Sequence, residues 1–245
     1  PLGFIAQGSE FGFGKMYAKG INDEALEKND DQFIQVVSCN THNLAVIIKT
    51  LASEQDGNIT NLKEGRFVLM RRANDISQEG SFIAAPQAGR HSDEKFGTHH
   101  ARDAYHLFKT LGYDFNLYSS AMKLNTQYMH SLWFNLRLKN KISKEEVISR
   151  LVENPEVSVT YKRLANQIFS FGRDHGYYGR LLTQTVACLP TIEVINGGRE
   201  IVGFCFTPQD GNSLLSTISA TLWFFYPDSY KKKLEFLKPY CHQEV

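Results

Sequence analysis

Phe33-Ile34-Gln35-Val36-Val37-Ser38-Cys39-Asn40-Thr41 is the stretch on which the reading of this chain turns. Its first six residues are short, apolar and rich in β-branched side chains, as in a buried strand. Beyond Thr41, the residues Leu44, Ile47, Ile48 and Leu51 recur at helical spacing. Asn40 or Thr41 is expected to cap that helix. The unit is therefore strand, cysteine, helix. A cysteine at a helix N-terminus feels the positive end of the helix dipole, which favours its thiolate. The thiolate is the nucleophilic form, so Cys39 is the candidate for covalent attack on a carbonyl.

On either side the pattern continues. Arg66 to Arg71 reads as a second strand with Arg71-Arg72 at its exit, followed by a polar loop through Gly80, Pro86 and Gly89. Thr98 is placed to open a helix that turns Ala101, Ala104, Leu107, Phe108 and Leu111 inward and closes at Gly112. Tyr113 to Leu124 and Tyr128 to Lys139 read as long strands; in the second, His130, Leu132, Phe134, Leu136 and Leu138 alternate with more polar neighbours. Ser143 and Glu146 form a capping-box pattern. Val157 to Tyr161 and Thr185 to Leu189 are expected strands, and Asn196-Gly197-Gly198 joins Thr191–Ile195 to Glu200–Phe206 as a hairpin. Ser213 to Phe225 reads as an apolar helix and Asp228 to Leu237 as a charged one. Helices and long strands alternate without a regular βαβ rhythm, which makes the fold class α+β.

The 245 residues are 42% apolar, with 27 basic and 26 acidic side chains. That balance excludes a disordered chain and gives no electrostatic case for nucleic acid. No apolar run approaches the length of a membrane span. The four cysteines lack any C-x-x-C pair, so neither a disulfide scaffold nor a zinc ribbon is indicated, and a reduced, cytoplasmic setting is expected. The first residues lack a signal-peptide pattern and an initiating Met, as in a truncated or processed piece. Gly8, Gly12, Gly14 and Gly20 do not make a phosphate loop. G-x-G-x-x-G from Gly12 needs glycine where Tyr17 stands, and a P-loop needs Ser or Thr where Met16 follows Lys15. Residues 1–30 are read as a flexible or hairpin-like leading segment with no strand ahead of these glycines.

Eight histidines could serve Cys39. His42, in the first helical turn, is disfavoured as a cation. His130 lies among apolar strand neighbours, His99 and His100 begin a helix, and His91 precedes it. His99, Asp103 and His106 share a helical face, which a solvated face explains as well as a metal does, and no metal is assigned. Cys188 and Cys205 are read as packing residues, and Lys231-Lys232-Lys233 as a solvated face.

Val36-Val37-Ser38-Cys39-Asn40-Thr41 resembles the nucleophile segment of archaeal-type (type II) glyceraldehyde-3-phosphate dehydrogenase, V-V-S-C-N-T-T. Val68-Leu69-Met70-Arg71-Arg72-Ala73-Asn74-Asp75 is similar to its V-L-V-R-R-A-A-D, His99-His100 to its S-H-H, and Met129-His130-Ser131 to the strand with its catalytic histidine. Ala6-Gln7-Gly8-Ser9-Glu10 resembles its Q-G-G-E stretch. The likeness covers roughly residues 5–225 and weakens after Lys139. His42 and Asn43 stand where the family has Thr and Gly, and the M-H-M-H run is reduced to one Met-His.

The resemblance implies a mixed, largely antiparallel sheet with helices on one face, and a catalytic domain at 31–225. Residues 1–30 would be the junction to a nucleotide-binding domain this chain lacks, and 226–245 a C-terminal helix and tail. It implies that Cys39 attacks an aldehyde to give a thiohemiacetal, that His130 takes the hydroxyl proton, and that hydride passes to NAD or NADP when the cofactor domain is present. Inorganic phosphate would then cleave the thioester. Asn40, Thr41, Arg71, Arg72 and His99 or His100 would bind the phosphorylated aldehyde or phosphate. A homo-oligomer is also implied, with the strand near Trp133 as the adhesive surface. Two other readings stand beside this one: a redox-inactive dehydrogenase-like domain acting as a binding or oligomerisation module, and hydrolysis or acyl transfer at Cys39 without a dinucleotide.

Overall fold

Period-two alternation builds the centre of the molecule. In the computed structural model, which describes residues 1–74, 79–80, 83–208 and 210–245, the strand Ser131–Leu138 buries Leu132, Phe134, Leu136 and Leu138 and leaves the residues between them part-exposed. Asp75, the last residue of the Val68–Asp75 motif, lies outside the described residues. In chain order the first elements are β1 (Phe4–Gln7), β2 (Lys15–Tyr17), β3 (Phe33–Val36), α1 (Cys39–Ala52), β4 (Leu62–Arg71), β5 (Gln87–Ala88) and α2 (His99–Lys109). Then come β6 (Leu117–Lys123), β7 (Ser131–Leu138), α3 (Lys144–Glu153), β8 (Val157–Thr160) and α4 (Ala165–His175). The last are β9 (Thr185–Cys188), β10 (Glu193–Ile195), β11 (Glu200–Phe206), α5 (Gly211–Phe225) and α6 (Tyr230–Lys233).

The main sheet runs β5-β6-β4-β7-β11-β9-β8, with β10 also on β11. Among the described residues of this sheet only β4–β6 and β8–β9 pair in parallel, so the sheet is mixed and largely antiparallel, and the α+β class is borne out. One face carries α1, α2 and α3 over a core that includes Leu44, Ile47, Leu51, Leu69, Leu107 and Phe134. All of α1 except Cys39 and Lys49 is buried, which makes it the central helix. On the opposite face α4 covers the β9 end, with Ile168 against Val186 and Phe206. Ser143 caps α3, its hydroxyl accepting from the Glu146 N–H at 3.1 Å, while the Glu146 carboxylate accepts from Arg150 rather than closing the box. The hairpin turn holds, with Asn196, Gly197 and Gly198 all at positive φ.

Three expectations are corrected. The leading segment is not a hairpin and a strand does precede its glycines: β1 comes before Gly8, and β1 and β2 flank β3 in a separate parallel sheet, β1-β3-β2. Parallel strands need no tight turn, so nothing local announces them. They are held from outside, because Tyr17, Ile34 and Val36 pack on Leu215 and Trp223 of α5. The charged C-terminal helix is only Tyr230–Lys233, giving way to a 3-10 stretch, Leu234–Tyr240, that contains Pro239. Residues Ala165–His175 form α4, which the sequence reading left without an element. Among the described residues no helix is long and apolar enough to cross a membrane.

Candidate active site

Ser38, not Asn40 or Thr41, caps α1. Its backbone is extended, and its hydroxyl accepts from the Thr41 N–H at 3.4 Å and lies 2.9 Å from Thr41 Oγ1. Serine caps as well as asparagine or threonine, and Asn40 and Thr41 lie inside the helix, with Asn40 bonded to Thr207 and His100 and Thr41 beside Ser38 itself. Cys39 thus occupies the first helical position, part-exposed, where the dipole argument for its thiolate applies.

Strand parity brings the other groups to it. Phe67 and Leu69 face the helices, so Arg71, two residues on, emerges on the same side at the end of β4. His130 shares the parity of Leu132 at the start of the adjacent antiparallel β7, whose Ser131 pairs with Met70. Cys39, Asn40, Arg71, His99, His100 and His130 line one cavity of about 330 Å³, together with the Gly8 turn after β1 and with Asp210 and Ser213 at the head of α5. The N-termini of α1 and α5 both open on it, which suits an anion. Thr41 and Arg72 do not line the cavity. Thr41 is fully buried beside Ser38, and Arg72 is 4% exposed with its guanidinium 4.0 Å from Asp210.

Burial disfavours the cationic form of His99 and His100. Burial, reinforced by Arg71 and Arg102, brings His99 down to about 4. Burial, with His99, Arg71 and His130 nearby, holds His100 well below the ordinary imidazole range. His42 lies outside the cavity; burial brings it to about 4, its Nδ1 is 3.0 Å from the Ser38 carbonyl and its Nε2 is 2.9 Å from the Ser216 hydroxyl. In His130, Nδ1 accepts from the Arg72 backbone N–H at 3.0 Å, so the neutral ring carries its proton on Nε2. Burial pushes the Cys205 thiol up to about 12 and also raises Cys188, as packing cysteines require.

The remaining candidates disperse. His91 meets the Ser120 hydroxyl at 2.9 Å. His99 faces the cavity, Asp103 pairs with Arg102 at 2.9 Å and His106 meets the edge of Phe11. Among the described residues no three side chains are grouped to hold a metal. Asn212 is a group at the candidate site that the sequence reading missed. Its Nδ2 donates to the Cys39 carbonyl at 2.8 Å and to the Gln184 carbonyl at 3.2 Å, tying the heads of α5 and α1 together. The two residues are 173 apart in the chain, and no local pattern marks the pair.

Among the described residues no element supplies a cradle for a nicotinamide dinucleotide. Such a cradle needs a strand, a glycine-rich turn and a helix N-terminus in succession. β1 does run into Gly8, but β2 follows, not a helix, and the turn between β3 and α1 has Val37 and Ser38 with Cys39 filling the helix end.

No family model matches the chain. It is 26% identical over 174 residues to a glyceraldehyde-3-phosphate dehydrogenase of Sulfolobus acidocaldarius, covering 67% of this chain and 45% of that protein. The same-named protein of Methanococcoides burtonii is 31% identical over 157 residues, 63% of this chain and 42% of its own length. That of Saccharolobus islandicus is 30% identical over 140 residues, 55% and 36% respectively. The chain therefore spans less than half the length of these relatives. The resemblance to archaeal glyceraldehyde-3-phosphate dehydrogenases is borne out: over part of its length the chain is similar to several archaeal proteins of that name.

Proposed function

We propose that this chain is the substrate-handling part of a phosphorylating aldehyde dehydrogenase. One observation carries the reading: Cys39, at the first position of α1, shares its cavity with Arg71, His99 and His130. The thiolate adds to the aldehyde carbon, a C–S bond forms, and the carbonyl π pair moves to oxygen. The resulting oxyanion meets the positive end of α1 and the Nε2–H of His130. Because Arg72 already donates to Nδ1, the ring enters as a hydrogen-bond donor, and the hydroxyl-proton acceptor implied by the resemblance is not required when the thiolate attacks. Arg71 offers a planar, two-pronged contact to a phosphoryl group, and His99 adds a neutral polar contact. In the second half-reaction phosphate attacks the thioester carbonyl, the C–S bond breaks and Cys39 leaves as thiolate. Oxidation between these halves needs NAD or NADP, and no residue of this chain is assigned to either.

Acylation run in reverse tests the reading without a hydride acceptor. An acyl phosphate should place one acyl group on Cys39 and release inorganic phosphate, as seen by intact mass. Cys39→Ser, nearly isosteric, should abolish the adduct while leaving the fold intact. Unmodified wild-type protein would favour the redox-inactive binding module. We place a homo-oligomer contact on the open sheet face, where Val68, Trp133 and Phe204 form a part-exposed row across three strands. Sedimentation of Trp133→Glu tests that.

A further inference from the structure

A run of buried hydrogen bonds beneath the cavity points in one direction. The Thr185 hydroxyl donates to Asn43 Oδ1 at 2.6 Å, and Asn43 Nδ2 donates to the Thr207 hydroxyl at 2.8 Å. Thr207 in turn donates to Asn40 Oδ1 at 2.9 Å. With its oxygen engaged, Asn40 turns Nδ2 to His100 Nε2 at 3.4 Å, the longest link. Nε2 is therefore the acceptor, and the ring's proton sits on Nδ1, 3.0 Å from Thr98 Oγ1. Thr98 meets Ser119 at 2.6 Å, and Ser119 Oγ also accepts the Ala101 N–H at 3.2 Å. All seven side chains are buried.

We propose that His100 is a positioning residue for the nucleophile: held as its Nδ1–H tautomer by this run, it fixes Asn40 and, with it, the first turn of α1 from which the Cys39 sulfur projects. The proposal rests on the reading of Cys39 as nucleophile. Asn212 holds the Cys39 carbonyl from the other side, so the peptide that carries the sulfur is gripped at both ends. A proton on Nε2 would set it against the Asn40 amide, donor to donor, so the ring stays neutral. The low-dielectric surroundings and the Arg71 charge act in the same sense. His100 therefore adds no positive charge to the cavity, and anion binding there falls to Arg71 and the two helix ends.

Thr207 does not line the cavity, which makes it the place to cut the run. In ring-15N-labelled wild-type protein, His100 should show the Nδ1–H tautomer alone and no titration between about pH 5 and 8. Thr207→Val should mix the tautomers or restore titration, and slow Cys39 alkylation by iodoacetamide about fivefold, the worth of one net hydrogen bond. Thr207→Ser should restore both. An Nε2–H tautomer in the wild type, or an unchanged tautomer and alkylation profile in Thr207→Val, overturns the proposal. Should Thr207→Val fail to fold, Thr98→Val cuts the run at its other end and is read the same way. Alkylation needs no aldehyde chemistry. A protein that takes no acyl group yet shows the Thr207 effect would lose the enzymatic reading and keep the positioning one.

Discussion

The two halves of α1 are equally buried and built on opposite physics. From Leu44 to Leu51 the helix presents Leu44, Ile47, Ile48 and Leu51 to a dry core, each fully shielded from water. Burying such a side chain stabilises the fold by about 1.5–3 kcal/mol. From Asn40 to Asn43 the same helix buries Asn40, Thr41, His42 and Asn43. These side chains carry desolvation costs that hydrogen bonds to Ser38, Thr185, Thr207, Ser216 and His100 offset. The apolar half holds the molecule together. The polar half contributes little net stability and fixes where each atom of the first turn lies, as the role proposed for Cys39 at its first position requires.

If that division is right, mutations in the two halves should separate stability from reactivity. Ile47→Ala should cost about 2–5 kcal/mol by opening a cavity in the core, measured by denaturant unfolding, while the folded variant alkylates Cys39 at the wild-type rate. A matching loss of alkylation would break the comparison. Acid should strike the polar half first. His42 falls from an ordinary 6.5 when unfolded to about 4 when folded, so the native state binds fewer protons in that window. Its contribution is complete above about pH 6.5 and is lost as pH falls towards 4, a swing of roughly 3 kcal/mol at about 1.36 kcal/mol per pKa unit. His99 and His100 shift in the same direction. His42→Gln should flatten the stability-against-pH curve over that range; an unaltered slope would assign it to other groups. Asn212→Ala, which strands the Cys39 and Gln184 carbonyls, should cost about 1–3 kcal/mol. It should also slow Cys39 alkylation, an effect on reactivity that Ile47→Ala lacks.

The legible parts of the fold were those written in neighbouring residues. The alternation at Leu132–Leu138, the Asn196-Gly197 turn, the Ser143 cap and the apolar spacing of α1 each depend on contacts a few residues apart. The site was legible in outline for the same reason. Cys39 sits at a strand-to-helix turn, and Arg71 and His130 sit at strand ends whose parity is countable. What escaped was held by distant partners: β1 and β2, defined by parallel pairing with β3, and α4, whose inward face is set by Val186 and Phe206. The cap is Ser38 because the helix begins at Cys39, earlier than its apolar spacing announces, with Asn40 already inside it and bonded to Thr207 and His100.

The amino-acid sequence by itself determined that this is an α+β chain with a cysteine at a helix head, because helix period, strand alternation and turn chemistry are properties of short segments. Only the tertiary structure decided that His130 Nδ1 meets the Arg72 N–H, that His100 lies against Asn40, and that Asn212 clamps the Cys39 carbonyl. Each of those outcomes depends on which donor meets which acceptor across more than fifty residues of chain. A hydrogen bond of that kind exists only once packing has removed water from both partners.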